Sequence, residues 1–292
     1  MNENSHVLVK DGRGGQIVFP SFIPQANLDT LAAQFETVPE DTFVVTFPKC
    51  GTTWMEQVVH LLLNNGEQGE KLITDQNPWV EAIPSRPQGF HQFLAQMAQP
   101  RVFTSHLPYQ LMPGLDDPKA RFVYVARNPK DTAVSFYYHD RRLGYEGNWE
   151  EFLPLFMAGE VMFGDFFSHI LDWWQASKTA ENIFFSTYEA MKADLRQVVT
   201  QLADFLSVEA DPTLVQTVVE QSSFKAMATN PQTDFSWMPS KEGEESHFRK
   251  GMVGDWRNHF SPAQNEAFDA HFAERMADSD LRFVFGGGVV LP

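Results

Sequence analysis

Runs of β-branched and aromatic residues recur along the chain, and segments with helical spacing separate them. Four such runs predict buried strands, at 42–47, 101–105, 121–126 and 182–187. Helices are predicted at 52–64, 129–141, 163–178, 188–206, 211–221 and 262–276. Strands that alternate with helices predict an α/β fold with a mostly parallel central sheet and helices on both faces. Such sheets bind ligands at the carboxyl ends of their strands, so the loops that follow the four runs are the candidate site.

The domain organisation follows from length and composition. The 292 residues contain no internal repeat and no long low-complexity linker, so a single domain over 1–292 is predicted. A hydrophobic fraction of 43% is enough for one large core. The ends, at about 1–20 and 286–292, carry no pattern and could be flexible.

Charge and cysteine content narrow the function classes. The 22 basic and 38 acidic residues give a net charge of −16, which argues against a nucleic-acid partner. An anionic ligand would need a local basic cluster. The single cysteine excludes an internal disulfide, and the N-terminus lacks the apolar segment of a secretory signal. No apolar stretch is long enough to span a bilayer, so we expect a cytoplasmic protein without a membrane partner.

The loop after the first strand has the composition of an anion site. The sequence FPKCGTTW joins a strand to a helix, and Gly51 permits a tight turn. The amides of 50–53 can point at an anion near the helix N-terminus, with Lys49 adding a positive charge. The GxxxxGK[ST] pattern of a phosphate loop is absent, and an ordinary helix cap with a solvated lysine would look similar.

FPKCGTTW resembles the 5′-phosphosulfate loop of the cytosolic sulfotransferases, which use 3′-phosphoadenosine 5′-phosphosulfate (PAPS) as sulfuryl donor. The resemblance implies a P-loop-like sulfotransferase fold and a donor-binding role for the loop residues Lys49, Cys50, Gly51, Thr52, Thr53 and Trp54. In the family the lysine supports the leaving group and the tryptophan packs near the adenine. Cys50 stands where the family usually has serine. It is either a reactive thiol, since helix N-termini lower thiol pKa, or a buried inert one.

A histidine follows the next strand, in RVFTSHLP. An imidazole titrates near neutrality and can accept a proton at working pH. The segment resembles the catalytic-histidine motif of the family, which implies that His106 takes the proton from the acceptor hydroxyl. Some members carry a lysine two residues earlier, where this chain has Thr104.

Three further segments resemble the donor site of the family. RNPKDTAVSFYYH implies that Arg127 and Ser135 bind the 3′-phosphate, and an arginine suits bidentate phosphate contact. FRKGMVGDWRN implies that the 3′-phosphate site is completed by Arg249, Lys250 and Gly251. Contacts to the adenine are implied for Tyr188, Ser223 and Phe224.

The implied acceptor site is less sharply defined. By family position it includes Trp79, His106, Phe136 and His139, with segments near 141–147 and 232–246. Trp79 is either an aromatic gate or a core residue. Aromatic walls suggest a phenol, a hydroxylated polycycle or a similar alcohol, and carboxylates in 229–246 leave an amine acceptor open.

The function implied is transfer of the sulfuryl group of PAPS to a small-molecule hydroxyl, or an amine, with adenosine 3′,5′-bisphosphate (PAP) as product. The acceptor attacks sulfur in line, His106 accepts its proton, Lys49 stabilises the departing phosphate, and no metal is needed. Three rival readings stay open at this stage: sulfation followed by elimination, a non-catalytic PAPS-binding protein, and a nucleotide kinase. The family dimer motif K-x-x-x-T-V-x-x-x-E is degenerate here, with Pro262 in place of valine, so a monomer or a non-standard dimer is expected.

Overall fold

The fold is built on eight strands within residues 6–236, 247–286 and 290–291, which are the residues that the computed structural model describes. The strands are β1 His6–Lys10, β2 Gln16–Pro20, β3 Thr42–Thr46, β4 Val102–Ser105, β5 Arg121–Ala126, β6 Ile183–Thr187, β7 Phe283–Val284 and β8 Val290–Leu291.

Twelve α-helices separate and cover these strands in the described part of the chain. They are α1 Gln25–Gln34, α2 Thr52–Leu63, α3 Ile73–Gln76, α4 Phe90–Gln96, α5 Pro129–Arg142, α6 Trp149–Ala158, α7 Phe166–Ser177, α8 Tyr188–Ala193, α9 Leu195–Leu206, α10 Pro212–Gln221, α11 Phe224–Thr229 and α12 Pro262–Arg275. Short 3₁₀ helices lie at Val80–Ser85, Tyr109–Leu111 and Asp255–Asn258.

The central sheet has four parallel strands in the order β4-β3-β5-β6. The predicted α/β architecture with a mostly parallel central sheet in a single domain is therefore confirmed. Because all four strands run in one direction, their carboxyl ends meet at one edge of the sheet. That edge receives the loops that begin near Phe47, His106, Arg127 and Tyr188.

The two faces of the sheet pack against different layers. Alternate residues of a strand point to opposite faces. On one face, the Phe43 ring stacks on Phe103 and on Phe122, each at a centroid distance of 5.0 Å, and α7 covers this aromatic layer through Trp173. On the other face, aliphatic residues such as Val44 pack against α2, α9 and α10. A sheet buried on both faces explains why its strands read as continuous apolar runs.

The structure corrects two predicted helices and adds elements. The segment predicted as one helix over 188–206 is two helices, since Asp194 leaves the helical conformation and its side chain accepts the Gln197 N–H that begins α9. The helix predicted from 163 begins at Phe166, because Phe163 has a φ of +67° and Asp165 caps α7. No element was predicted in the first 20 residues, where β1 and β2 form an antiparallel hairpin.

Candidate functional site

The loop between β3 and α2 turns sharply at the sheet edge. Lys49 and Gly51 both have positive φ, at 68° and 106°. A Cβ on Gly51 would lie 3.0 Å from the Tyr188 ring, so glycine is required both by conformation and by space. The turn directs the Lys49 side chain into a cavity of about 820 Å³, which opens at the carboxyl ends of the strands. Thr52, Thr53 and Trp54, at the start of α2, also line this cavity.

Cys50 faces away from the cavity. Its side chain is fully buried in the hydrophobic core, with Sγ 3.6 Å from Thr132 Oγ1. Burial raises the pKa of the thiol to about 12, and the Cys50 N–H donates to the Phe47 carbonyl at 3.3 Å. Cys50 is therefore absent from the cavity wall, and its donor-binding role stays a prediction; of the two alternatives for the thiol, the structure favours the buried inert one.

The surroundings of Lys49 disfavour the charged form of its side chain. Burial, together with the charges of Arg142 and Arg127, lowers its pKa to about 7, and Asp140 opposes this shift. A buried cation that lies among other cations favours the binding of a multiply charged anion.

His106 presents one ring nitrogen to the cavity. Its Nδ1 lies 2.9 Å from the Thr46 carbonyl oxygen. A carbonyl only accepts, so Nδ1 carries the proton and Nε2 is left as the basic nitrogen. Burial lowers the pKa of His106 to about 3, although the hydrogen bond to Thr46 opposes this shift. The imidazole is thus neutral, so Nε2 is unprotonated.

The His106 main chain is fixed from two directions. Its N–H donates to Glu81 Oε1 at 2.8 Å, and its carbonyl accepts from His169 Nε2 at 3.0 Å. Tyr124 OH in turn donates to His169 Nδ1 at 2.8 Å. Sequence reasoning missed Glu81, His169 and Tyr124, because each reaches His106 from a different element.

Arg127 and Ser135 enter the same cavity from β5 and α5. The Arg127 guanidinium lies over the Tyr188 ring at 4.3 Å, and Nη1 donates to the Lys49 carbonyl at 3.1 Å. Its Nε is buried without a hydrogen-bond partner in the described part of the chain. The start of α5 is held by Asn128, whose side chain accepts from Asp131 N at 2.8 Å.

Arg249 and Lys250 are oriented by one carboxylate. Asp255 Oδ2 lies 2.6 Å from Arg249 Nη1, and Oδ1 lies 2.8 Å from Lys250 Nζ. Burial would raise the pKa of Asp255, but the hydrogen bonds from Lys250, Asn258 and Arg249 outweigh it and lower the pKa. Both cations line the cavity, and so does Gly251, where a Cβ would collide with the Phe224 ring.

Aromatic rings and one hydroxyl form the end of the cavity beside Trp54. The Trp54 ring meets the Tyr188 ring edge-on at 5.3 Å, and Phe224 lies nearby at the start of α11. The adenine contact expected for Ser223 stays a prediction, since its side chain caps α11 and does not line the cavity. Ser222 lines the cavity instead, fully buried and with no partner for Oγ among the described residues. The two adjacent serines were the signal in the sequence for this hydroxyl. Which of them lines the cavity depends on where α11 begins, and only the structure shows this.

The opposite end of the cavity surrounds His106 with apolar groups. Trp79 meets the imidazole edge-on at 4.9 Å, and Phe163 lies 5.1 Å from it. A backbone bridge to Thr104 places Trp79 beside β4, so Trp79 belongs to the wall of the site. Phe136 and His139 of α5 also line this end. Sequence reasoning missed Phe22, Met162 and Phe163, which come from loops without a motif.

The segments expected to complete the acceptor end are partly described. Leu143, Gly144, Tyr145 and Phe235 line the cavity. The part of the expected acceptor segment at 237–246 lies outside the described residues. Among the described residues, no group of three or more His, Cys, Asp or Glu side chains could hold a metal ion, and no helix is long and apolar enough to cross a membrane.

Comparisons with known proteins agree with this geometry. The sulfotransferase domain family model matches residues 39–280. Sulfotransferase 1E1 of Bos taurus is 34% identical over 280 residues, which cover 92% of this chain and 94% of that protein. Sulfotransferase 1C2 of Homo sapiens is 36% identical over 261 residues, which cover 85% of this chain and 87% of that protein.

Solved structures give the same result. A crystal structure of the mouse sulfotransferase SULT7A1 complexed with PAP superposes with a TM-score of 0.75 at 32% identity, covering 92% of this chain and 94% of that one. A retinol dehydratase in complex with retinol and PAP has a TM-score of 0.80 at 23% identity, covering 93% of this chain and 90% of that one, which shows the fold alone. The chain therefore belongs to the sulfotransferase family, and it is a PAPS-dependent enzyme of that family.

Proposed function

We propose that the protein transfers the sulfuryl group of PAPS to the hydroxyl of a small molecule in the way that the geometry of its cavity dictates. The observation that carries this proposal is a set of unused hydrogen-bond donors at one end of the cavity. Trp54 Nε1, Arg127 Nε and Ser222 Oγ are buried without partners in the part of the chain that the structure describes. A buried donor without an acceptor is costly, so a ligand rich in acceptor oxygens fits this end.

The donor would lie between two sets of polar and charged groups in the cavity wall. Arg127, Ser135, Arg249 and Lys250 suit the 3′-phosphate, and the start of α2 with Lys49 suits the 5′-phosphosulfate. Tyr188, Trp54 and Phe224 provide flat faces for the adenine.

The proposed chemistry is one in-line displacement at sulfur. The acceptor oxygen forms the new S–O bond while the bond from sulfur to the bridging phosphate oxygen breaks. His106 Nε2 takes the acceptor proton, and Lys49 stabilises the negative charge that develops on the departing PAP. Trp79 and Phe163 keep water away from the imidazole.

The proposed acceptor is an aromatic or alicyclic alcohol, because rings and aliphatic groups line the His106 end of the cavity. Elimination after sulfation differs from this reaction in product mass, whereas sulfation of an amine gives a product of equal mass that contains an N–S bond instead of an O–S bond. A cytoplasmic location and a monomer or non-standard dimer stay predictions.

The donor site is tested by calorimetric titration with PAP and with 5′-AMP. The wild type should bind PAP at least about 10-fold more tightly than AMP, since one charged hydrogen bond contributes about 1.5–3 kcal/mol. Arg127→Ala should lose this preference. Arg121→Ala is the matched control, because Arg121 lies at the other end of the same strand and donates to the Leu206 carbonyl. Equal binding of both nucleotides by the wild type would contradict the donor site.

A further inference from the structure

One carboxylate in the cavity wall has an oxygen without a partner. Asp140 lies in the last turn of α5, and only 6% of its surface is exposed. Its Oδ1 is buried without a hydrogen-bond donor in the described residues, although its main-chain carbonyl accepts from Tyr145 N at 2.8 Å. An unsatisfied buried acceptor destabilises the empty site, and a ligand that brings a donor removes this cost.

The place of Asp140 in the helix assigns it to the acceptor end. Phe136 precedes it by four residues and Leu143 follows it by three, so the three residues share one face of the helix end. All three line the cavity. Ser135, next to Phe136, is the α5 residue at the 3′-phosphate end. Asp140 therefore shares the cavity wall with Phe136 and Leu143.

The charges around Asp140 leave it available to a cation. Burial raises the pKa of Asp140 to about 8, and Lys49 opposes this shift. Burial lowers the pKa of His139 far below neutrality and raises that of Tyr145, so both neighbours are uncharged. Arg142 donates to the Phe235 carbonyl at 3.2 Å. Lys49 is thus the charged group that acts on Asp140. In the reacting complex, the phosphosulfate of the donor binds Lys49.

We propose that Asp140 binds a positively charged amino group of the acceptor, so that the preferred acceptors are phenols or other cyclic alcohols that carry a protonated amine. This inference rests on the proposed function and deepens it by naming the acceptor class. Two fields favour a cation here: the net charge of −16 on the chain and the negative charge of the bound donor. A charge-assisted hydrogen bond in this dry wall stabilises the cation more than it would in water.

The proposal predicts a proton release. In the empty cavity at pH 7 the Asp140 carboxyl is protonated, because its pKa lies above the pH. A bound ammonium group lowers that pKa, so the acid ionises and releases up to about one proton per acceptor. A neutral acceptor of the same shape leaves the carboxyl protonated and releases none.

Tyramine and 4-propylphenol are the matched probes, since a terminal ammonium in one replaces a methyl group in the other. With PAPS saturating, the wild type should show kcat/KM at least about 10-fold higher for tyramine, the equivalent of one charged hydrogen bond. In Asp140→Asn this ratio should fall to about one or below. Asp172→Asn is the control, because Asp172 pairs with the exposed Arg13 and lies outside the cavity.

Calorimetry of the PAP-saturated wild type in two buffers of different ionisation enthalpy measures the proton release directly. A release with tyramine and none with 4-propylphenol supports the proposal. It is overturned if the wild type shows no preference and no release, or if Asp140→Asn changes both acceptors equally, as a residue that only tunes Lys49 would. Tight PAP binding with sulfation of 4-propylphenol alone overturns this inference and leaves the proposed function intact. Failure to bind PAP overturns both.

Discussion

At the scale of single residues, the proposed catalysis depends on how one imidazole is held. The Thr46 carbonyl fixes the proton on His106 Nδ1, and the Glu81 and His169 side chains fix its backbone. Thr46 also bonds Thr52 through the two hydroxyls at 2.7 Å, which ties the proposed base to the helix that follows the proposed donor loop. This shared support would favour a constant distance between acceptor oxygen and sulfur.

Replacement of His106 should separate chemistry from binding. In His106→Ala we expect the rate of sulfuryl transfer to fall by about 10²–10⁴-fold, because a general base contributes that much. The affinity for PAP should change little, since His106 lies at the acceptor end. Single-turnover rates and PAP titrations measure the two quantities. His91→Ala, an exposed site on α4, is the control, and full activity in His106→Ala would exclude the proposed base.

The pH dependence of donor capture should report Lys49. Its pKa is lowered to about 7, so the side chain is charged below that pH and neutral above it. As the pH rises through 7, kcat/KM for PAPS should therefore fall. In the donor-bound enzyme the phosphosulfate raises the pKa of Lys49, so kcat should fall only at higher pH.

Arg142 provides the check on this interpretation. Its charge lowers the pKa of Lys49, so in Arg142→Gln the falling limb should move to higher pH. The same limb should persist, unshifted, in Arg141→Gln, since Arg141 does not line the cavity. A limb at the same pH in wild type and Arg142→Gln would show that another group controls it.

At the scale of elements, the parallel sheet gathers residues that are distant in sequence. Lys49, His106, Arg127 and Tyr188 each follow a different strand of the sheet, and the order β4-β3-β5-β6 sets them side by side. The hairpin of β1 and β2 adds Phe22 at the acceptor end, where its ring stacks on Trp79 at 6.1 Å. Helix α5 serves both halves of the site, because its successive residues point in different directions.

One buried ion pair anchors the other end of the sheet. Arg101, just before β4, donates through Nε to Asp41 Oδ1 at 2.8 Å, just before β3, and both side chains are buried. In Arg101→Leu the Asp41 carboxylate would lose its partner, so we expect the free energy of unfolding to fall by about 3–5 kcal/mol. Urea denaturation at pH 7 measures this.

An exposed ion pair is the matched control for Arg101. Arg13 and Asp172 lie 2.6 Å apart, and 52% of the Arg13 side chain is exposed. Arg13→Leu should cost about 0–1 kcal/mol. Equal losses in the two variants would mean that the buried pair contributes no more than a surface pair.

At the scale of the whole molecule, the segment that carries the degenerate dimer motif is folded onto its own chain. Arg257 donates to the carbonyls of Phe285 and Gly286 at 2.8 and 2.9 Å. Pro262 occupies the first turn of α12, behind the cap Ser261. A proline without an N–H cannot take part in backbone pairing with a second copy.

Light scattering after size exclusion should therefore give the mass of the 33.2 kDa chain, or a dimer that does not use this segment. Glu266→Lys tests for the alternative, because a dimer that relied on 257–266 would dissociate in this variant. Its dissociation would contradict the expectation drawn from Pro262.

The sequence determined the order of the strands along the chain, the helices that follow them and the motif residues at the strand ends. These are local properties, because burial on both faces imposes apolar runs, and phosphate binding requires glycine and cations at fixed spacing. Cys50 and Ser223 show what the local sequence cannot determine. Each lies in a matching motif, but Cys50 packs in the core and Ser223 caps a helix, so neither side chain lines the cavity.

Only the tertiary structure decided the acceptor end. Phe22, Phe163, Glu81 and Asp140 come from four separate segments, and none stands in a motif that the sequence analysis used. Their roles depend on contacts between elements far apart in the chain and on burial, which sets the pKa of Asp140 and of His106. The donor is common to the family, so the residues expected to bind it can be recognised from the spacing of their motifs along the chain. The residues of the acceptor wall are brought together only by tertiary packing.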